Sequence, residues 1–244
     1  MNPSTNLIMK DEPIVKSFTQ VEKWLLGSLA ALSLLIAAHG PAAAADVSPD
    51  VLVKTTTQEV VAILKKDKDI QAGDTHKVYE LVDAKVLPNF DFNHMTMLAV
   101  GKYWPRATPA QRQSLIQEFR TLLVRTYASS LTEFNNQTIE FKPFSMTPGA
   151  TDVTVQTQVK QPGAQPIPID YSMEKTSFGW KVYDVVIDGV SLVTNYRSSF
   201  GTEIRQSGID GLIRTLASRN QQNTGHQPEK PGAGMDKKSH STHK

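Results

Sequence analysis

The sequence predicts an α+β fold in which helices pack against a four-stranded antiparallel sheet. Apolar residues recur with helical spacing from Ser48 to about Asn136, and again from Ser191 to Ser218. Between these two stretches, four short segments alternate between apolar and polar residues and are separated by turns rich in Gly and Pro. Helices and strands that occur in separate runs are typical of α+β domains, whereas α/β domains alternate them.

The first 45 residues have the order of a secretory signal. Lys23 precedes a mainly apolar run from Trp24 to Ala38, and small residues continue to Ala45. As a helix this run would span about 22 Å, which is shorter than the roughly 30 Å hydrocarbon core of a bilayer. We therefore predict a cleaved signal peptide at residues 1–45 rather than a membrane anchor.

Three helices are predicted at the start of the mature chain. The first begins at Ser48, and the second runs from about Thr75 until Pro88 stops or kinks it. Asp91 is the expected cap of a short third helix, which Gly101 terminates.

The fourth predicted helix has the clearest beginning. Thr108 and Gln111 form the pattern of a capping box, with Pro109 in the first turn. Its apolar face continues to Phe134, so we expect a helix of about 27 residues, on the order of 40 Å long.

The strands and the last helices follow. Two helices are expected at Ser191–Ser207 and Ile209–Ser218, broken at Gly208, and a polar, basic tail at residues 219–244 is predicted to be disordered. The folded domain is thus predicted to span residues 46–218. The four strands are expected at Thr138–Phe144, Thr151–Lys160, Ile167–Thr176 and Trp180–Ile187.

Charge and composition exclude several classes of site. The formal net charge is +2, and the predicted domain carries 18 basic and 19 acidic residues, a net charge of −1. Such a balance does not favour nucleic-acid binding. The chain has no cysteine, so disulfides, thiolate metal sites and thiol nucleophiles are excluded.

No pattern of reactive side chains predicts catalysis. His94 lies one turn after Asp91, but a histidine on a short helix is more often structural. Ser191 lacks the glycines of a nucleophile elbow and is interpreted as a helix cap. Asp184 lies on a predicted strand, and Asp188 follows four residues later in a turn. We interpret Asp184 as part of a solvated strand face and Asp188 as a turn residue, rather than as a catalytic pair. We predict no catalytic residue, no metal site and no cofactor.

The apolar residues are more informative. Their number is large for one four-stranded sheet covered only by helices. If the sheet curls around the long helix and the contact is not filled, an aliphatic cavity results, which is the usual site for an apolar ligand.

The chain resembles the MlaC family, also called toluene-tolerance proteins, over about residues 47–218. The resemblance rests on several elements that occur in the same order rather than on one short motif. They are FDF at 90–92, WPRATPAQ at 104–111, WKVYD at 180–184, GVS at 189–191, NYR at 195–197 and GIDGL at 208–212.

This resemblance implies a monomeric periplasmic carrier without enzymatic activity, which binds glycerophospholipid and maintains the lipid asymmetry of the outer membrane. Its implied partners are an outer-membrane lipoprotein–porin complex and an inner-membrane ABC transporter with an MCE-domain ring. The implied fold is a curved sheet of the nuclear-transport-factor-like group, with the acyl chains inside.

Periodicity then selects the residues expected to line the cavity. A shift of one residue in a strand would turn its whole set outward. The predicted wall comprises Phe119, Leu123, Tyr127 and Leu131 on the long helix, Phe141, Val153, Val155, Tyr171, Met173 and Val182 on the strands, and Val190, Val193 and Tyr196 after the last strand.

Two alternatives remain open. An isomerase-type enzyme of the same fold group would need a carboxylate deep in the apolar wall, for which Asp152, Asp170 and Asp184 are the strand candidates. A carrier of a different lipid, such as a hopanoid, or of small aromatics would need only the cavity. The sequence predicts neither the direction of transport nor the headgroup.

Overall fold

The computed structural model describes residues 47–134 and 136–222 of the chain. The predicted signal peptide, residues 1–45, and the part of the predicted tail after residue 222 lie outside these residues. Within the described ranges, no helix combines the length and the apolar character that a membrane span requires.

The first helices begin at polar caps. Asp67 and Asp74 each accept two backbone N–H groups of the helix that follows. Ser48 occupies the predicted cap position, but its hydroxyl donates to Asp50 Oδ1 at 2.7 Å instead of accepting from the helix. The elements are α1 (Pro49–Lys66), α2 (Lys68–Gln71), α3 (Thr75–Leu81), a π-helical turn (Val82–Val86) and a 3-10 turn (Leu87–Asn89) that contains Pro88.

Helix α4 (Phe92–Val100) has the predicted ends. The Asp91 carboxylate accepts the backbone N–H of His94 at 2.8 Å. Gly101 ends the helix with a φ of 59°, a value that favours glycine. A 3-10 turn, Gly101–Arg106, leads to the next helix.

Helix α5 (Pro109–Tyr127) confirms the capping box but not the predicted length. Both hydrogen bonds of the box form between Thr108 and Gln111. The helix has 19 residues rather than about 27, because the chain tightens into a 3-10 turn at Ala128–Leu131. The apolar face continues through this turn, so periodicity alone did not mark the end of the helix.

The sheet is antiparallel with the order β1-β2-β3-β4-β5, which confirms the predicted meander and adds a fifth short strand. The first strand ends three residues before the predicted Phe144, because Pro143 has no N–H to continue the ladder. The strands are β1 (Thr138–Phe141), β2 (Asp152–Lys160), β3 (Ile167–Thr176), β4 (Gly179–Ile187) and β5 (Val190–Ser191).

A β-bulge interrupts strand β4. Ser172 pairs with Asp184, whereas the next residue, Met173, pairs with Val182, so Tyr183 is the extra residue. A bulge bends its strand and increases its twist. The bulge also shifts the alternation, so that Val182 and Val185 both face the helices.

The last helix, α6 (Leu192–Gln222), contains the predicted break. Gly208 has a φ of 74° and a ψ of 179°, which are not helical values. The helix continues for four residues, 219–222, into the predicted tail. Asn220 explains this extension, since its Nδ2 donates to the backbone oxygen of Glu118 (2.9 Å) and to its carboxylate (2.7 Å).

The described residues form two hydrophobic cores. The larger core lies between the sheet and helices α4, α5 and α6, and includes Phe119, Met173 and Phe200. The smaller core joins α1, α2 and α3 to the end of α5, and includes Leu64 and Val78. Helix α1 contributes to both cores, and the candidate site lies where they meet.

Candidate functional site

A cavity of about 360 Å³ lies between the two hydrophobic cores. This volume falls within the range of roughly 300–1,000 Å³ that is usual for small-molecule sites. The residues around it come from α1, the turns after α3, α4, the end of α5, and strands β1 to β4. The cavity is therefore an unfilled space between the two hydrophobic cores.

Helix α1 supplies one side of the wall. Leu52, Val53, Val60 and Leu64 line the cavity at helical spacing, together with Thr56. The opposite face of the same helix is polar and exposed, with Lys54 as an example. The apolar face of this helix thus forms part of the cavity wall as well as packing in a core.

The sheet supplies the opposite side. Tyr171 and Met173 of β3 line the cavity, and on β4 the bulge brings both Val182 and Val185 to the same side. The remaining strand residues at the wall are Ile139, Val159, Ile169 and Ile187.

The polar groups at the wall are few and uncharged. Asn89 Nδ2 donates to Thr56 Oγ1 at 3.2 Å and to the backbone oxygen of Lys85 at 3.0 Å. Among the described residues, no Asp, Glu, Lys, Arg or His side chain lines the cavity.

Two tyrosines of the wall are held in the neutral form. Burial raises the pKa of Tyr127 to about 12, with a smaller contribution from Tyr196. Burial also raises the pKa of Tyr171, against the smaller opposite effect of the Thr157 hydroxyl. The wall therefore carries no titrating group near neutral pH.

Six of the thirteen predicted wall residues line the cavity. Leu123 and Tyr127 lie in the last two turns of α5, and the other four lie after this helix or in the sheet. The six are Leu123, Tyr127, Leu131, Tyr171, Met173 and Val182.

Three predicted wall residues instead fill the contact between α5 and α6. Phe119 is fully buried, and its ring lies 5.1 Å from that of Tyr196 and 5.2 Å from that of Phe200, both edge to face. Val193 is 3% exposed in the same core. These three residues lie away from the cavity because α6 covers this part of the α5 stripe.

The other four predicted wall residues also lie away from the cavity. Val155 is buried in the larger core, and Val153 and Phe141 pack against that core. Val190 is 50% exposed at the edge strand. Alternation along β1 and β2 identified the inward face, but it did not show which end of each strand reaches the cavity.

The cavity residues of α1 were missed, although the helix itself was predicted. They are Leu52, Val53, Thr56, Thr57, Val60, Val61 and Leu64. The apolar stripe of the helix, with Leu52, Val60 and Leu64, was the available signal. The stripe was interpreted as a face of the core, and nothing in its spacing indicates what it packs against.

The strand acids do not reach the cavity. The Asp184 carboxylate accepts from the backbone N–H of Val193 at 3.1 Å and from Ser191 Oγ at 2.5 Å, at the start of α6. Asp170 accepts from Gln156 Nε2 at 3.3 Å, and Asp152 is exposed. These positions give no support to the alternative of a pocket carboxylate.

The remaining candidate side chains have structural partners. His94 Nδ1 lies 2.6 Å from Glu174 Oε1, and its ring stacks on that of Tyr183 at 4.7 Å. Ser191 caps α6, as predicted, because its Oγ accepts the N–H of Thr194 at 3.1 Å. In the ranges 47–134 and 136–222, no three acidic or histidine side chains come together as metal ligands.

Comparison with known proteins agrees with this architecture. A solved structure of the phospholipid-binding protein from Ralstonia solanacearum, in complex with a phospholipid, superposes with a TM-score of 0.68 and is 40% identical in sequence. The match covers 74% of this chain and all of that one.

Two curated proteins are also similar. The toluene tolerance protein ttg2D of Pseudomonas putida is 27% identical over 186 residues, which cover 76% of this chain and 86% of the relative. The intermembrane phospholipid transport system binding protein MlaC of Haemophilus influenzae is 24% identical over 200 residues, which cover 81% and 92%. The model of the MlaC protein family matches residues 54–218. The chain therefore belongs to the MlaC protein family.

Proposed function

We propose that this protein is a periplasmic carrier that holds a glycerophospholipid by its acyl chains and moves it between the outer and inner membranes. The observation that carries the proposal is the apolar cavity of about 360 Å³ between the two cores. The Ralstonia solanacearum relative, described as a phospholipid-binding protein in complex with a phospholipid, supports this choice of ligand.

The energetics of transfer suit a cavity of this kind. Two acyl chains of about sixteen carbons cost on the order of 25 kcal/mol to expose to water, at about 0.8 kcal/mol for each methylene. An aliphatic wall without charges removes most of this cost, so exchange between a bilayer and the carrier is close to neutral. The direction of transport is then set by the donor and acceptor complexes rather than by this chain.

The proposed partners follow from the family. They are an outer-membrane lipoprotein–porin complex and an inner-membrane ABC transporter with an MCE-domain ring, between which the protein travels as a monomer. The predicted signal peptide would deliver the chain to the periplasm. The net effect would be to maintain the lipid asymmetry of the outer membrane.

Mass spectrometry of an organic extract tests the ligand. We expect glycerophospholipid from the protein purified without detergent, and not a hopanoid or a small aromatic. Leu123→Arg introduces a charge at a wall residue that is 7% exposed and is expected to abolish loading. Val86→Arg, at a partly exposed wall residue, is a second variant that perturbs folding less.

The matched control is Val190→Arg. Val190 was predicted at the wall but lies exposed at the sheet edge, so this variant should keep its full lipid load. A wild-type extract without lipid would refute the proposal. Full loading of both wall variants, with unchanged circular dichroism, would refute the location of the site.

A further inference from the structure

A second concavity, of about 350 Å³, lies outside the apolar cavity and has the opposite character. It is formed by the end of α4, the turn that follows it, and the first half of α6. We call it the basic pocket, and its defining residues are Lys102, Tyr103, Arg197 and Arg205, with Arg106 beside them. No residue of the basic pocket lines the apolar cavity.

Two of the four cations lie over one aromatic ring, that of Tyr103. Lys102 Nζ lies 5.4 Å from the centre of the Tyr103 ring, and Arg106 Cζ lies 5.8 Å from it. Arg197 and Arg205 approach from α6, two turns apart on one face of that helix. Gly201 lies between them, and a Cβ at this position would come within 3.7 Å of Arg205 and 3.9 Å of Tyr103. A larger residue at position 201 would therefore fill part of the pocket.

Two of these side chains are held in place by hydrogen bonds that do not neutralise them. Arg197 Nε donates to the backbone oxygen of Leu98, at the end of α4, at 2.7 Å. Arg205 Nη2 donates to Thr202 Oγ1 at 2.9 Å. Both acceptors are uncharged, so neither hydrogen bond offsets the positive charge with a negative one.

The cluster has no acidic partner among the residues that the structure describes. None of the ion pairs formed within the described part of the chain involves any of the four cations. The domain as a whole is close to neutral, at 18 basic and 19 acidic residues, so four unpaired cations at one place are a local excess. Charges of one sign at short range repel each other, and the fold gains no stability from collecting them.

We propose that the basic pocket is a docking site for an acidic segment of a protein partner. Arginine forks bind carboxylates with two parallel hydrogen bonds, and a concavity admits carboxylate side chains that project from a partner. A site for a bilayer surface usually adds apolar side chains that insert between the lipids. None of the exposed large apolar residues in the described ranges belongs to the pocket, which favours a protein over a membrane.

The inference goes beyond the proposed function and can be tested separately from it. The probe is a fluorescein-labelled hexaglutamate peptide, acetylated and amidated, whose binding is followed by fluorescence anisotropy at low ionic strength. The test variant is Lys102→Ala with Arg205→Ala, because Arg197 also binds the end of α4. The control is Lys54→Ala with Arg214→Ala, which removes the same charge from two other exposed positions.

The test variant should bind the peptide about tenfold more weakly than the wild type, which corresponds to about 1.4 kcal/mol. The control should stay within about twofold, and added salt should reduce the difference. Equal losses in both variants would overturn the proposal, because net charge alone would then explain binding. Loss of binding to phosphatidylglycerol vesicles with unchanged peptide binding would also overturn it, in favour of a bilayer. Lipid content is measured on the same samples, so failure of the carrier proposal is detected independently.

Discussion

Replacement of Asp184 tests whether this buried acid is structural. The side chain is 7% exposed and accepts three hydrogen bonds, from the backbone N–H groups of Val185 (2.8 Å) and Val193 (3.1 Å) and from Ser191 Oγ (2.5 Å). It thereby joins the bulged strand to the first turn of α6. This arrangement makes Asp184 a helix cap supplied from outside the helix.

The magnitude follows from these three bonds. Hydrogen bonds to a charged group contribute about 1.5–3 kcal/mol each, and a buried donor without a partner costs about 1–3 kcal/mol. We therefore expect Asp184→Ala to lower the free energy of unfolding by about 4 kcal/mol. Asp184→Asn keeps one acceptor and should cost about half as much. For a domain of this size, 4 kcal/mol corresponds to a decrease in Tm of roughly 8–16 °C.

Urea unfolding of lipid-free protein measures the effect. Trp180, which is 4% exposed on the same strand, provides the fluorescence signal. The matched control is Asp188→Asn, at the exposed turn after this strand, which should change stability little because Asn tolerates the φ of 50° at this position as well as Asp does. A loss below about 1 kcal/mol for Asp184→Ala would refute the structural role. Unchanged stability together with lost lipid binding would instead favour the alternative of a functional acid.

Three further predictions concern single positions. The pKa of Tyr127 is raised to about 12, so the neutral phenol contributes its full stabilisation below pH 10 and loses it as the pH rises towards 12. In an alkaline titration, Tyr127→Phe should therefore unfold less readily than the wild type between pH 10 and pH 12. Identical unfolding curves for the two proteins would contradict this. Gly208→Ala should lower the free energy of unfolding by about 2 kcal/mol in urea, since its φ of 74° and ψ of 179° suit only glycine; a stabilised variant would show that the break is dispensable. Thr108→Ala removes the cap of α5 and should cost about 1 kcal/mol by thermal unfolding, whereas Thr108→Ser should cost little.

The successful local predictions depend on residues close together in the chain. The capping box joins Thr108 to Gln111, and Asp91 caps a helix through a residue three positions later. The break at Gly208 is a property of one residue. In each case, the interacting groups lie within a single turn, so the sequence contains the whole interaction.

The wall residues were predicted less well because they depend on packing between distant segments. Leu123 and Phe119 lie on one apolar stripe, yet one faces the cavity and the other faces α6. The bulge at Tyr183 places Val185 at the wall, where strict alternation from Val182 would have placed Val186. Neither difference has a signal in the local sequence.

The kinds of elements, most of their ends, the α+β class and the membership of the MlaC family are all evident from the amino-acid sequence. The fold was needed to show that the two hydrophobic cores leave a space between them, that α1 forms one side of the resulting cavity, and that cations from two distant segments come together at the basic pocket. This division arises because hydrophobic burial has no direction: an apolar side chain is equally suited to a filled core and to the wall of a cavity. The arrangement of the helices against the sheet decides which of the two it becomes.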